Sequence, residues 1–463
     1  MVILKKKLSG VIGLVLLTQM LSAQVHDHTL SVAELVSSVT LKAPSLIADS
    51  AAVAIRQSLA RETKYNWLPS IKVNYQADLG TNNNVPGAYF GFGIVPSNTG
   101  GVRTANDPSN AISNLGVATL DWEIYNFGLF KTQNMAAAAD VLVEQQQYQL
   151  TKYQLQTSAI EGYLQLFQYQ NLVVIQQENI ARNQQIRSSI QALAKSGIIA
   201  GVDTSIAEAE LSKSRLTLLE LDNKYKQLQL QLAAISGIDA DQIIADSTIS
   251  ARLIALSLQL PGQENTATHP LLNYYQSRYE NSIQKEKVIR KSNLPKLMLE
   301  GAVWGRGSSI NQNSEFGALN NGWGLSRTNY LVGLGISFNI TDIKRQQLRL
   351  NTQRSTSSYE QKRLAEQAVN LDIQVKQADA ELQTAIARLN EIPHQLYASR
   401  AAYRQKFSLY KNGLINIIEL NIALNLLYRA EADFAIAKYT LCRAVFQKAI
   451  TRNQVGLVLN SLK

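Results

Sequence analysis

The chain has 463 residues, a net charge of +10, 46% apolar and 17% charged residues, and a mean hydropathy of −0.10. Charge below the roughly 25% usual for soluble domains, with near-neutral hydropathy, excludes both a disordered chain and a bundle of membrane-spanning helices. One cysteine (Cys442) and four histidines exclude a disulfide framework and a cysteine-rich zinc site, and leave little for a histidine metal centre.

Residues 1–23 read as a secretory signal peptide. Lys5, Lys6 and Lys7 form a basic start, Leu8–Leu21 an apolar run, and Leu21-Ser22-Ala23 a small-residue cleavage site. Loss of its three lysines lowers the net charge from +10 to +7. A helix is expected over about Ser31–Asn66, stopped by Pro69. Ile71, Val73, Tyr75, Ala77 and Leu79 then alternate with Lys72, Asn74, Gln76 and Asp78, the period of a strand. A Gly/Asn/Ser/Pro-rich loop over about 80–112 leads to a returning strand at about Ser113–Ile124. From about 128 to 195 the pattern is helical. Leu150, Tyr153, Thr157, Ile160, Leu164, Phe167, Asn171 and Val174 step by three and four, the spacing of a coiled-coil seam. A helix of that length spans about 100 Å, far more than a globular core requires. Gly197 turns the chain back into a second helix.

The same order then repeats. A helix over about His269–Asn293 ends before Pro295, strands follow at Leu297–Trp304 and Asn329–Phe338, and a long helix covers about 343–412. Its seam runs Leu364, Ala368, Leu371, Val375, Ala378, Leu382, Ala385, Leu389, Ile392 and Leu396, and Gly413 turns it back. Lys195-Ser196-Gly197 is echoed by Lys411-Asn412-Gly413, and Asn66-Trp67-Leu68-Pro69 by Asn293-Leu294-Pro295. The chain is therefore read as two tandem repeats, 24–250 and 251–463 (β-hairpins at 69–124 and 295–339). Pro393 falls inside the second long helix and is expected to kink it.

Four strands cannot close a barrel, which takes about eight. Strands near the 9–11 residues that cross a bilayer, with one alternating face, suit an outer-membrane barrel, and lipid tolerates no open sheet edge. Strands pooled between chains in a cyclic oligomer would close it. Helices rich in Gln, Ala, Ser and Asn, with narrow apolar seams, fit a hollow ring; an ordinary elongated coiled-coil bundle is the alternative.

The helix-to-strand junctions Trp67-Leu68-Pro69 and Asn293-Leu294-Pro295, the run Leu120-Asp121-Trp122-Glu123-Ile124-Tyr125-Asn126-Phe127-Gly128, and the tip segments Lys195–Glu210 and Tyr410–Leu426 together resemble the TolC-like outer-membrane efflux and secretion channels. The resemblance covers nearly the whole chain beyond residue 23. It implies a mainly α fold with transmembrane β: four strands per chain in a trimeric 12-stranded barrel in outer-membrane lipid, continued by a long antiparallel coiled-coil helical tunnel in the periplasm. A smaller equatorial region is expected at about Gly237–Gln263 plus the C-terminal segment. The implied function is passive export, as the outer component of a tripartite system with a periplasmic adaptor protein and an inner-membrane pump of the RND type. A type I protein-secretion duct and a non-channel periplasmic scaffold are the alternatives.

At the tips, the resemblance makes Asp203 and Glu419 entrance acids and Tyr410 a linking tyrosine. Ile415 stands where the family carries a linking arginine, and Ile422 where it carries an inner acid. An apolar constriction of Ile415, Ile418 and Ile422 is the expected substitute. Lys195, Ser196, Gly197, Lys411, Asn412 and Gly413 are expected to contact the adaptor. No catalytic or cofactor motif is found: there is no Walker A loop, His-Glu-x-x-His or Gly-x-Ser-x-Gly. His26 and His28, near one end of the exported chain, are not expected to hold metal, and dispersed positive charge argues against nucleic acid. Tyr89, Phe90, Phe92 and Trp323 are expected in the hairpin loops, as interface belts or loop plugs.

Overall fold

The computed structural model describes residues 29–85, 102–197, 201–257 and 268–462. The signal peptide, His26, His28, Tyr89, Phe90 and Phe92 lie outside them. The first helix is two helices, α1 (Val32–Lys42) and α2 (Pro44–Lys64). The break is physical: Pro44 forces Ala43 out of helical backbone, to φ −58° and ψ 123°. Ser31 caps α1 in a reciprocal box with Glu34.

Strands β1 (Ser70–Gly80) and β2 (Ala111–Tyr125) follow, then α3 (Leu129–Lys195) and α4 (Gly201–Ser236). After α5 (Ile249–Ser257) come α6 (Pro270–Lys291), β3 (Lys296–Ser308) and β4 (Arg327–Ser337). The long α7 (Asp342–Lys411), α8 (Ile417–Thr451) and α9 (Val455–Ser461) complete the described chain. α7 continues unbroken through Pro393, so this proline removes a backbone donor without ending the helix. No single described helix is long and apolar enough to cross a membrane.

The chain divides into two compact units. One holds residues 54–142 and 278–360, and its centre is an antiparallel sheet in the order β1-β2-β3-β4. Register aligns Ile71, Leu120, Gly301 and Val332 in one row, and Val73, Ala118, Val303 and Tyr330 in the next on the same face. Ile71, Val73, Tyr330 and Val332 are all exposed, so none of the described residues covers this apolar face. The other face carries Lys72, Asn74, Asp121 and Glu300, with a 2.7 Å ion pair between Lys296 and Glu123. Among the described residues, the outer edges of β1 and β4 have no strand beside them. Below the sheet, Asp140 accepts from Asn281 at 2.6 Å and pairs with Lys285 at 3.0 Å.

The other unit holds the described residues up to Val53, with 143–277 and 361–462. Its main core gathers Leu35, Ile160, Tyr163, Leu164, Phe167, Leu232, Leu253 and Phe446, all nearly or wholly buried. Burial follows the expected seam from Leu150 to Phe167, and again from Leu371 to Ile392. The equatorial pieces join this core: Ile243, Ala245 and Ile249 by burial, α9 through Val455 and Val458. Two polar clasps tie it further. The Tyr163 hydroxyl donates to Leu30 O at 2.6 Å and accepts from Asp246 N at 2.8 Å. Arg452 and Lys448 both pair with Asp379, at 2.6 and 3.5 Å. Burial pushes the Cys442 thiol up to about 12, which keeps it an unreactive thiol.

Candidate functional site

The two helical tips supply the site. Gly197 (φ +75°) and Gly413 (φ +70°) adopt the left-handed backbone that a Cβ disfavours. At the second tip, Gly413 N donates to Tyr410 O at 2.9 Å and Leu414 N to Leu409 O at 3.0 Å, closing the last carbonyls of α7. Asn416 caps α8, its side-chain oxygen accepting from Glu419 N at 2.9 Å. Lys195, Ser196, Lys411 and Asn412 are exposed around these turns. Residues 198–200 of the first tip lie outside the described residues.

Behind the turns sits a small core of Ile186, Ile190, Ala207, Tyr410, Ile417, Leu420 and Leu424, with Tyr403, Phe407 and Ile415 against it. It joins α3, α4, α7 and α8. Tyr410 is 4% exposed, and its hydroxyl has no hydrogen-bond partner among the described residues. Burial, then the negative charge of Asp203, raise its pKa above the usual phenol value. Asp203, in the first turn of α4, is thus near Tyr410 without bonding to it. Tyr403 stacks on Phe407 with centroids 5.8 Å apart, and Lys411 Nζ lies 4.8 Å above the Phe407 ring.

Glu419 is bonded within the chain: its carboxylate accepts from Lys406 Nζ at 2.6 Å. The pair is half exposed, worth under about 1 kcal/mol, and it offsets the charge of the acid. The three isoleucines separate. Ile415 is part of the tip core, whereas Ile418 and Ile422 are 58% and 64% exposed. With Leu426, also exposed, they recur every fourth residue and form one apolar stripe along the start of α8; Leu414, in the turn before the helix, is exposed as well.

A buried charge cluster was not expected from the motifs. Arg182 of α3 grips Glu431 of α8 with two hydrogen bonds, at 3.1 and 2.5 Å, and Arg400 of α7 stands 3.6 Å from the same carboxylate. The Glu431 side chain is only 7% exposed. The sequence carries its signal: Ile417, Leu420, Leu424, Leu427 and Glu431 keep the three-four spacing, so a charge occupies a seam position. Closer to the tip, Arg187 pairs with Glu208 between α3 and α4. Between the same helices, the Gln176 amide donates to Ser214 O at 2.6 Å and the Asn183 amide to the Ser214 hydroxyl at 3.1 Å. No group of described residues has the composition of a metal site.

Comparison with known proteins follows this geometry. The family model described as outer membrane efflux protein matches residues 35–238. No curated protein matches the sequence. Among solved structures, the CmeC outer membrane channel of Campylobacter jejuni shares 12% identity, covering 93% of this chain and 89% of that one, with a TM-score of 0.74. The outer membrane protein VceC of Vibrio cholerae shares 14%, covering 92% and 96%, with a TM-score of 0.70. The open state of the MtrE outer membrane channel of Neisseria gonorrhoeae shares 13%, covering 92% and 89%, with a TM-score of 0.66. The family match runs through the first sheet hairpin and both helices of the first tip, under half of the chain, and over nearly its whole length the fold is that of these outer-membrane channels.

Proposed function

We propose that the chain works as a homotrimer whose strands pool into a twelve-stranded barrel, open at the periplasmic end into a helical tunnel. The observation that carries this is the sheet: among the described residues it has four strands, an exposed apolar face and two unpaired edges. In lipid such edges must be closed, and copies of the same chain can close them without new folding. The helices contribute six long elements of each sign of direction to a trimer's wall, and the two repeats, 24–250 and 251–463, give that wall its near-even spacing. Cargo passes through without chemistry, and energy comes from an inner-membrane pump, of the RND type, through a periplasmic adaptor docked at Lys195-Ser196-Gly197 and Lys411-Asn412-Gly413.

The entrance is set by Asp203, Tyr410, Glu419, Ile415, Ile418 and Ile422 in two layers. Ile418 and Ile422 present apolar surface to the axis, where a narrow apolar ring excludes water. Ile415 and Tyr410 act behind them by holding α7 against α8. Asp203 supplies charge at the rim, where the Lys406–Glu419 pair is neutral overall. In detergent the full chain is expected at three times the monomer mass, with mixed helix and strand signal, and to form conducting pores in planar bilayers. A water-soluble monomer without conductance would overturn the proposal.

A further inference from the structure

Beneath the sheet, where α2 hands over to β1 and β2 to α3, the structure holds a cleft of about 520 Å³ lined by Lys64, Trp67, Phe130, Lys131, Asn134 and Met135. We infer that this cleft is a binding site for the headgroup of an anionic glycerophospholipid of the periplasmic leaflet, phosphatidylglycerol in character. The inference rests on the chain's place in the outer membrane.

Three observations converge. The first is continuity with the apolar face. Ile71 pairs with Leu120, and Trp122, two residues further along β2, shares that face. The Trp122 indole N–H donates to Trp67 O at 2.7 Å, and the two rings lie 6.4 Å apart. Trp67, 49% exposed, is thus held at the lower margin of the surface that faces the acyl chains. Tryptophan at such a margin occupies the headgroup level.

The second is charge. The cleft holds two lysines and no acid, and neither Lys64 nor Lys131 has an ion-pair partner among the described residues. Lys64 also stands in the last turn of α2, where its charge complements the helix dipole. That role does not account for Lys131, in the first turn of α3, where a cation is disfavoured by the same dipole. A phosphate between them would offset this cost. The third is an unmet acceptor: the Asn134 side-chain oxygen is buried without a hydrogen-bond partner. A headgroup hydroxyl supplies the donor it lacks, which a choline headgroup cannot. The apolar walls, Trp67, Phe130 and Met135, suit the glycerol and upper acyl carbons that follow the phosphate.

Native mass spectrometry of the full chain in detergent, titrated with phosphatidylglycerol or phosphatidylcholine, tests this. Phosphatidylglycerol should be retained preferentially, and Lys64→Gln with Lys131→Gln should weaken it by about thirtyfold, two lysines each contributing what one basic residue does at an anionic surface. Asn134→Leu should reduce the preference over a phosphatidic acid, which lacks the hydroxylated headgroup. Lys226→Gln, a lysine of the other unit, should change nothing. Millimolar inorganic phosphate should not displace the lipid; displacement would make the cleft a free-phosphate site and overturn the lipid assignment. Equal retention of both lipids, or equal retention by wild type and the double variant, would overturn the inference while leaving a detergent-embedded channel intact. A water-soluble chain would instead overturn the channel reading itself.

Discussion

The two apolar clusters of the helical unit differ in kind. The main core wraps α1, α5 and α9 around α3 and α8 and is closed by residues with almost no exposure, among them Leu35, Ile160, Tyr163 and Phe446. The tip core joins four helix ends with seven buried residues, and its largest polar group, the Tyr410 hydroxyl, is buried and unbonded. Between them lies the Arg182–Glu431–Arg400 cluster. A thick anchor and a thin, partly unsatisfied end teach where the molecule can yield: local opening follows the region with the fewest buried apolar contacts.

The largest expected break in that contrast is Phe446→Ala. A fully buried aromatic truncated in the main core should cost about 3–5 kcal/mol and lower the global thermal midpoint. Leu420→Ala in the tip core, equally buried, should cost about 2–3 kcal/mol locally. Hydrogen exchange should then rise in α7 and α8 near the turn with the midpoint little changed. Equal midpoint shifts for both would erase the distinction between anchor and tip.

Glu431→Gln comes next. It leaves Arg182 facing a neutral amide in a poorly solvated site, a change of about 3 kcal/mol for a buried pair, less for whatever water reaches Arg182. Exchange should increase in both α3 and α8, and pore open probability should rise. If only α8 responds, the cluster does not hold the two helices together.

His269 reports on the anchor through pH. It is 5% exposed, its ring meets Tyr153 edge-on with centroids 5.2 Å apart, and the Tyr153 hydroxyl donates to Ile450 O. Burial lowers its pKa below 6.5, against which a hydrogen bond to Ile450 acts more weakly. The unfolded chain therefore binds the proton more readily. The stability it contributes is complete above pH 6.5 and is lost as pH falls through the depressed folded value. Thermal midpoints between pH 7.5 and 5 should fall for wild type and flatten for His269→Gln.

The smallest expected effect on stability, under about 1 kcal/mol for a half-exposed pair, is Lys406→Gln, and its readout is conduction. It frees the Glu419 carboxylate, so cation preference should increase; Glu419→Gln should shift preference the opposite way. Unchanged reversal potentials in both would remove the pair from the entrance.

The elements were largely legible. Period-two alternation at Ile71–Leu79 marks β1 because a strand with one apolar face has no other way to place its side chains. Three-four spacing at Leu371–Leu382 marks the buried seam of α7 for the corresponding helical reason. The glycines at 197 and 413 mark the reversals because the left-handed backbone is costly for other residues. Pro44 broke a helix that was expected to be continuous, and as the first residue of α2 it loses no helical hydrogen bond; Pro393 sits inside α7, where it does cost a backbone donor and the helix continues nonetheless. Which charges pair near the tips was not legible. Lys406 with Glu419, and Arg182 and Arg400 with Glu431, join residues 13, 249 and 31 positions apart, and local periodicity carries no information on which charges meet.

By itself, then, the sequence determined the order of elements, the places where the chain reverses and the faces that must be apolar, because each depends on backbone preference and residue spacing along a few turns. Only the tertiary structure decided that Ile415 packs inward while Ile418 and Ile422 stay exposed, that Glu419 is neutralised within its own chain, and that Trp67, Lys64 and Lys131 share one cleft. Those outcomes depend on which helix ends and strand ends are brought side by side, and that is settled by burial summed over the whole unit rather than by any one stretch of chain.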